Sequence, residues 1–107
     1  MGATTFYNVV KADDADSAFT QARQQACYDY GHSGYTGTIA EKPGYQVFQL
    51  PTGFAPEQWF YKLSDLRGDD DTPREWRDAV ETYNDKWGLA VCVKYGGHYH
   101  FGGWASY

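Results

Sequence analysis

Residues 31–38 read Gly31-His32-Ser33-Gly34-Tyr35-Thr36-Gly37-Thr38, three glycines interleaved with three hydroxyl side chains. Such a run can turn successive backbone N–H groups toward an anion, and the hydroxyls add further donors. Lys42 or Arg23 would supply positive charge, and Tyr35, Tyr45 or Trp104 a stacking surface for a base. Stacking of a base on an aromatic ring contributes about 1–3 kcal/mol, so two such contacts with phosphate bonds would support micromolar binding. The expected chemistry is recognition of a small anionic or nucleotide-like ligand by His32, Ser33, Gly34, Tyr35, Thr36, Gly37, Thr38, Lys42, Tyr45 and Trp104. Three observations weigh against it. The glycine spacing fits neither the phosphate loop of nucleotide hydrolases nor the dinucleotide fingerprint. The run follows a helix C-terminus, where the dipole opposes an anion. A left-handed helix stop explains Gly31 without any ligand.

Other reactive side chains are sparse. His98 and His100 alternate on a strand and share a face, the arrangement that would begin a metal site, with solvated histidines as the competing explanation. His32, Cys92 or Glu41 would complete it, and pairing across Gly96-Gly97 disfavours Cys92 by setting it opposite Phe101, on the other face. Cys27 and Cys92 read as reduced, packed thiols, and no nucleophile and base stand at a spacing that marks catalysis. No cofactor is called for, and the chain reads as a binding protein in preference to an enzyme.

Carboxylates gather later in the chain. Asp69-Asp70-Asp71 precede a helix whose outward residues are Glu75, Asp78, Glu81 and Asp85. This surface would meet a basic protein, making an acidic protein-binding inhibitor the second functional expectation; plain solvation is the usual explanation of such a helix face. The aspartates lack the alternate spacing of a calcium loop.

These residues need a scaffold, and local patterning supplies one. Thr4 to Val10 is β-branched and aromatic, a strand. Asp13 or Asp14 caps a helix over 14–30, with Ala15, Ala18, Phe19, Ala22, Ala26 and Tyr30 at helical spacing. A short strand is expected near Ile39 and Ala40, and another over Tyr45 to Leu50. Pro56 opens a second helix carrying Trp59, Phe60, Leu63 and Leu66. Thr72-Pro73-Arg74-Glu75 reads as a capping box for a third, whose apolar stripe is Trp76, Ala79, Val80, Tyr83 and Trp87. Leu89 to Tyr95 and His98 to Trp104 form a hairpin with a primed turn at Gly96-Gly97. The expectation is a single small α+β domain over residues 1–107, order β-α-β-β-α-α-β-β. Its antiparallel or mixed sheet of four to five strands packs with three segregated helices.

The net charge of −5 argues against direct nucleic-acid binding, and no apolar run reaches the roughly 20 residues that span a bilayer. With two cysteines and no basic-then-apolar start, the chain reads as cytoplasmic. Aromatics make 19% of it, and ten of the twenty are tyrosines, which tolerate a wetted hydroxyl; part of them is expected on a surface that meets a ligand, a partner or a second copy.

Tyr30-Gly31, the stretch Gly34 to Lys42, Asp85-Lys86-Trp87-Gly88 and Phe101-Gly102-Gly103-Trp104-Ala105-Ser106 resemble segments of small phage and bacterial proteins to which no activity is attached. The resemblance implies a virus-encoded accessory protein in a bacterial host, of a kind that neutralises host defence by sequestering a nucleotide signal or occluding a protein. It transfers no catalytic residue.

Overall fold

The computed structural model describes residues 2–30, 37–66 and 72–106. Four strands and three helices make up its framework: β1 (Ala3–Val10), α1 (Ala15–Tyr30), β2 (Tyr45–Val47), α2 (Pro56–Leu66), α3 (Arg77–Asn84), β3 (Ala90–Tyr95) and β4 (His98–Ser106). The expected α+β class, three helices and mixed sheet are all present. A 3-10 turn, Ile39–Glu41, takes the place of the short strand expected at Ile39 and Ala40.

The sheet order is β1-β4-β3-β2. β4 is central, antiparallel to β1 from Ala3↔Ser106 to Val10↔Tyr99 and antiparallel to β3 from Val91↔Gly102 to Tyr95↔His98. β2 is parallel to β3, which is possible because α2 and α3 carry the chain back between them. Gly96 and Gly97 both have positive φ, 61° and 80°, as a type I′ hairpin requires.

Alternation along the strands builds two cores, one on each face. Phe6, Ala90, Cys92, Tyr99, Phe101 and Ala105 meet Ala18, Phe19, Ala22 and Ala26 of α1. Alanines at three of these four helix positions let α1 lie close to the sheet. Val91 and Val93 point the other way, to Trp59, Phe60 and Leu63 of α2 and Ala79, Val80 and Tyr83 of α3. The helices therefore cover both faces, not one, and that accounts for buried residues at every position from Ala90 to Val93.

Helix ends follow local chemistry in part. The Asp14 carboxylate accepts the Ser17 N–H at 2.7 Å, which holds its carboxyl below the usual range. Pro56 starts α2 as expected. The third helix is shorter than its sequence pattern: Arg74–Trp76 is a 3-10 turn capped by Pro73 without a side-chain hydrogen bond. Thr72 Oγ1 is buried with no partner among the described residues, so the expected capping box is not formed. Trp87 lies beyond the helix and is exposed, and so leaves the apolar stripe.

Gly102 sits beneath α2, where an added Cβ would come within 2.6 Å of Phe60 Cδ2. Phe60 is itself walled by Tyr7, Trp59 and Tyr83, so its ring has little room to retreat. Gly102→Ala is expected to lower stability by about 1–3 kcal/mol, read from urea unfolding, as overpacked cores do.

Candidate functional site

Among the described residues, the outer edge of β1 has no strand partner in the sheet. Its eight residues, Ala-Thr-Thr-Phe-Tyr-Asn-Val-Val, include no charge, no proline and no glycine. Edge strands are commonly blunted by such residues, because their unpaired N–H and C=O groups would otherwise take up another strand. Here Lys11 is the first charge, one residue past the strand.

A groove of about 230 Å³ lies between β1 and α2, its lining including Thr5 and Tyr7 of β1 and Glu57, Phe60, Tyr61 and Ser64 of α2. Thr5, Tyr7 and Val9 share the sheet face that α2 covers, because Phe6 between them belongs to the α1 core. Tyr61 is 71% exposed and Tyr7 38%, so aromatic surface lies open on both walls. Glu57, in the first turn of α2, is the only charged group among the described residues that line the groove.

The Tyr7 ring is held in place. Its hydroxyl lies 2.7 Å from His100 Nδ1, and its ring meets Phe60 edge-on at 5.9 Å. His100 Nε2 faces the Tyr95 carbonyl at 3.4 Å. A carbonyl only accepts, so Nε2 carries the proton and Nδ1 accepts from Tyr7. Burial holds the His100 imidazole below its ordinary pKa, and burial, then the Glu57 charge, raise the Tyr7 phenol. The pair is neutral at pH 7, a fixed wall in place of a proton relay.

The same contacts engage ring nitrogens of both strand histidines. His98 and His100 do share a face, but Nδ1 of His98 is taken up at 3.0 Å from the Gly96 carbonyl. Both nitrogens of His100 are engaged, and no group of three or more metal-binding side chains occurs among the described residues. Cys92 lies opposite Phe101 and on the other face, as the hairpin register required. Both cysteines are unpaired, Cys27 half-buried and Cys92 buried, and burial pushes the Cys92 thiol up to about 12, so it is protonated and unreactive.

The residues expected to hold a small anion are divided by the fold. His32, Ser33, Gly34, Tyr35 and Thr36 lie outside the described residues. Gly37 is buried with φ 72°, and Thr38 caps the 3-10 turn through a 3.2 Å bond from the Ala40 N–H. Tyr45 packs on Phe19 and Phe101 beside α1 and donates its hydroxyl to Asp16, which with burial pushes the phenol up to about 12. Trp104 packs against the α2–α3 core, on the opposite face, so Tyr45 and Trp104 cannot stack on one ligand. Arg23 spans its own Phe19 ring and donates to the Ala40 carbonyl at 3.3 Å.

Lys42 is the largest departure from expectation. Instead of reaching solvent it is 1% exposed, its Nζ donating to the Asp85 carbonyl at 2.9 Å and standing 5.9 Å from the Phe6 ring centre. Burial drives its pKa down to about 8, offset in part by the Asp85 charge. It ties the 3-10 turn to the loop after α3 and is not available to a ligand from solvent.

Asp69, Asp70 and Asp71 of the acidic surface lie outside the described residues. Glu75, Asp78, Glu81 and Asp85 are all exposed, but only Asp78 and Glu81 belong to α3. Glu75 is in the 3-10 turn, and Asp85 holds the following turn through the Trp87 and Gly88 N–H groups. The groove residues Tyr7, Glu57 and Tyr61, and Val9 farther along β1, were not singled out by sequence reasoning. The charge-free run before Lys11 was the signal, but only the strand order reveals it as an edge. No family, curated protein or solved structure matches the chain. Among the described residues no helix is long and apolar enough to cross a membrane.

Lys42 generates a sign-specific prediction. Its folded pKa, about 8, lies below the unfolded value near 10.5, so the folded state binds the proton less tightly. The charged form therefore costs stability on the order of 3 kcal/mol below pH 8, and that cost fades as pH rises toward 10.5. Lys42→Met keeps the length and leaves the Asp85 carbonyl its 3.1 Å bond from Gly88. The variant is expected to be more stable than the parent by about 1–3 kcal/mol at pH 7. The difference should shrink steadily from pH 8 to pH 10 in denaturant titrations.

Proposed function

We propose that this chain is a non-enzymatic binding protein that docks an extended segment of another protein along β1, in the groove between β1 and α2. The observation that carries this reading is the eight-residue, uncharged and unpaired edge of β1, with the Tyr7 and Tyr61 rings open beside it. Addition of a strand to a sheet edge draws affinity from backbone hydrogen bonds and specificity from alternate side chains in a flanking groove. It requires no cofactor and no catalytic group.

A small anionic or nucleotide-like ligand is the weaker reading, because Lys42 is enclosed and Tyr45 and Trp104 are on opposite faces. The resemblance to small phage proteins supports a virus-encoded accessory role in the bacterial cytoplasm, with a host defence protein occluded by this contact. The acidic residues Asp78 and Glu81 would then steer the encounter with a basic partner without forming its seat.

Selection of a random twelve-residue peptide library against the purified protein tests the reading. Val9 is exposed on the edge, so Val9→Lys adds a charge there at little cost to stability. Selected peptides are expected to lose at least about tenfold in affinity for Val9→Lys, equal to 1.4 kcal/mol, and to keep their affinity for the D78K/E81K double variant. Peptides that ignore Val9→Lys and fail on D78K/E81K would transfer the docking site to the acidic helix.

A further inference from the structure

Resting on β1-edge docking, we infer that the occupant is a basic extended peptide, with a Lys or Arg side chain laid against Glu57 while its backbone pairs with β1. The alternatives are a neutral or acidic strand and a second copy of this chain, and the charges in the groove separate them.

Along an added strand, every second side chain faces the groove, at about 6.8 Å intervals. Those side chains would pass over Thr5, Tyr7, Tyr61 and Ser64, which offer ring faces and hydroxyls but no cation. Among the described residues Glu57 is the one charge they meet, and it is close enough to the edge to raise the Tyr7 phenol. No basic side chain among the described residues lines the groove, and the whole chain carries −5. A guanidinium or ammonium two or four residues from an aliphatic side chain would satisfy that carboxylate, and the stem of Lys or Arg would lie on the tyrosine rings. An acidic strand would bring like charges together in a half-enclosed slot.

Self-pairing is disfavoured by the same groups. A two-fold axis through β1 would set two α2 helices side by side on one face, each bringing its own Glu57. Two chains of charge −5 would meet there, a repulsion that a basic peptide converts into attraction.

The selection is read at the level of position, on wild-type protein and on Glu57→Gln. Glu57 is exposed in a first helical turn, so Glu57→Gln removes the charge and leaves the fold. The expected result is Lys or Arg enriched at one position of an otherwise β-branched and aromatic pattern. Affinity should fall about threefold or more on Glu57→Gln, mainly through a slower association rate and a flatter salt dependence. Peptides that need β1 but show no basic preference, and bind Glu57→Gln equally, overturn the basic occupant and leave edge docking standing. Failure to select any peptide sensitive to Val9→Lys overturns both. Sedimentation of the free protein provides the remaining arm: a dimer abolished by Val9→Lys assigns the edge to a second copy and overturns the inference.

Discussion

The structure depends on the burial of β4 from both sides. It is the last strand in the chain and a central strand in the sheet, flanked by β1 and β3, and its alternate residues feed two separate cores. Tyr99, Phe101 and Ala105 lie under α1, while Gly102 gives the Phe60 ring of α2 its place on the opposite face. Pairing of Ala3 with Ser106 brings together residues far apart in sequence, so the entropy of closing that loop must be met before the sheet is complete. The C-terminal hairpin can form locally around Gly96-Gly97, and β1 has a ladder only once that hairpin exists. With β4 on its inner side, β1 is left at the margin, its other edge facing outward.

Two polar contacts fix what the apolar packing leaves undetermined. Lys42 reaches from the 3-10 turn to the Asp85 carbonyl, fastening the segment before β2 to the segment before β3. A buried ammonium is a costly fastener, and its lowered pKa expresses that cost. Tyr7 and His100 make the second contact, across the β1–β4 pair, through one hydrogen bond between neutral groups. The first fixes how those two segments meet, at a cost in stability. The second sets the orientation of an aromatic ring at the groove, and so links the central strand to the surface proposed for docking.

Much of the local structure was legible because it follows from neighbours in sequence. β-Branched and aromatic residues, Asp14 and Pro56 marked β1, α1 and α2, and two glycines between apolar runs marked the hairpin. The placing of Cys92 opposite Phe101 followed from the turn alone. Longer-range facts were not legible. Thr72 and Glu75 have the spacing of a capping box, yet Pro73 stands at the cap of a 3-10 turn, and tertiary packing decides the first helical residue. Trp87 continues the helical phase of Trp76 and Tyr83 but falls after the helix has ended at Asn84. The candidate site was less legible than the fold. Lys42 looks like a surface cation until its burial is known, and Tyr45 and Trp104 look alike until the sheet separates them. Neither Glu57 nor Tyr7 is distinctive alone; their meeting across β1 and α2 depends on a strand order that pairs residue 3 with residue 106.

Amide hydrogen exchange along β1 tests the central claim most directly. In an antiparallel pair, successive N–H groups point alternately toward and away from the neighbouring strand. With β4 on one side and an open edge on the other, every second amide from Ala3 to Val10 should exchange rapidly in the free protein, between protected neighbours. Uniform protection of all eight would show that the outer edge is already covered, and would contradict a groove open to an incoming strand.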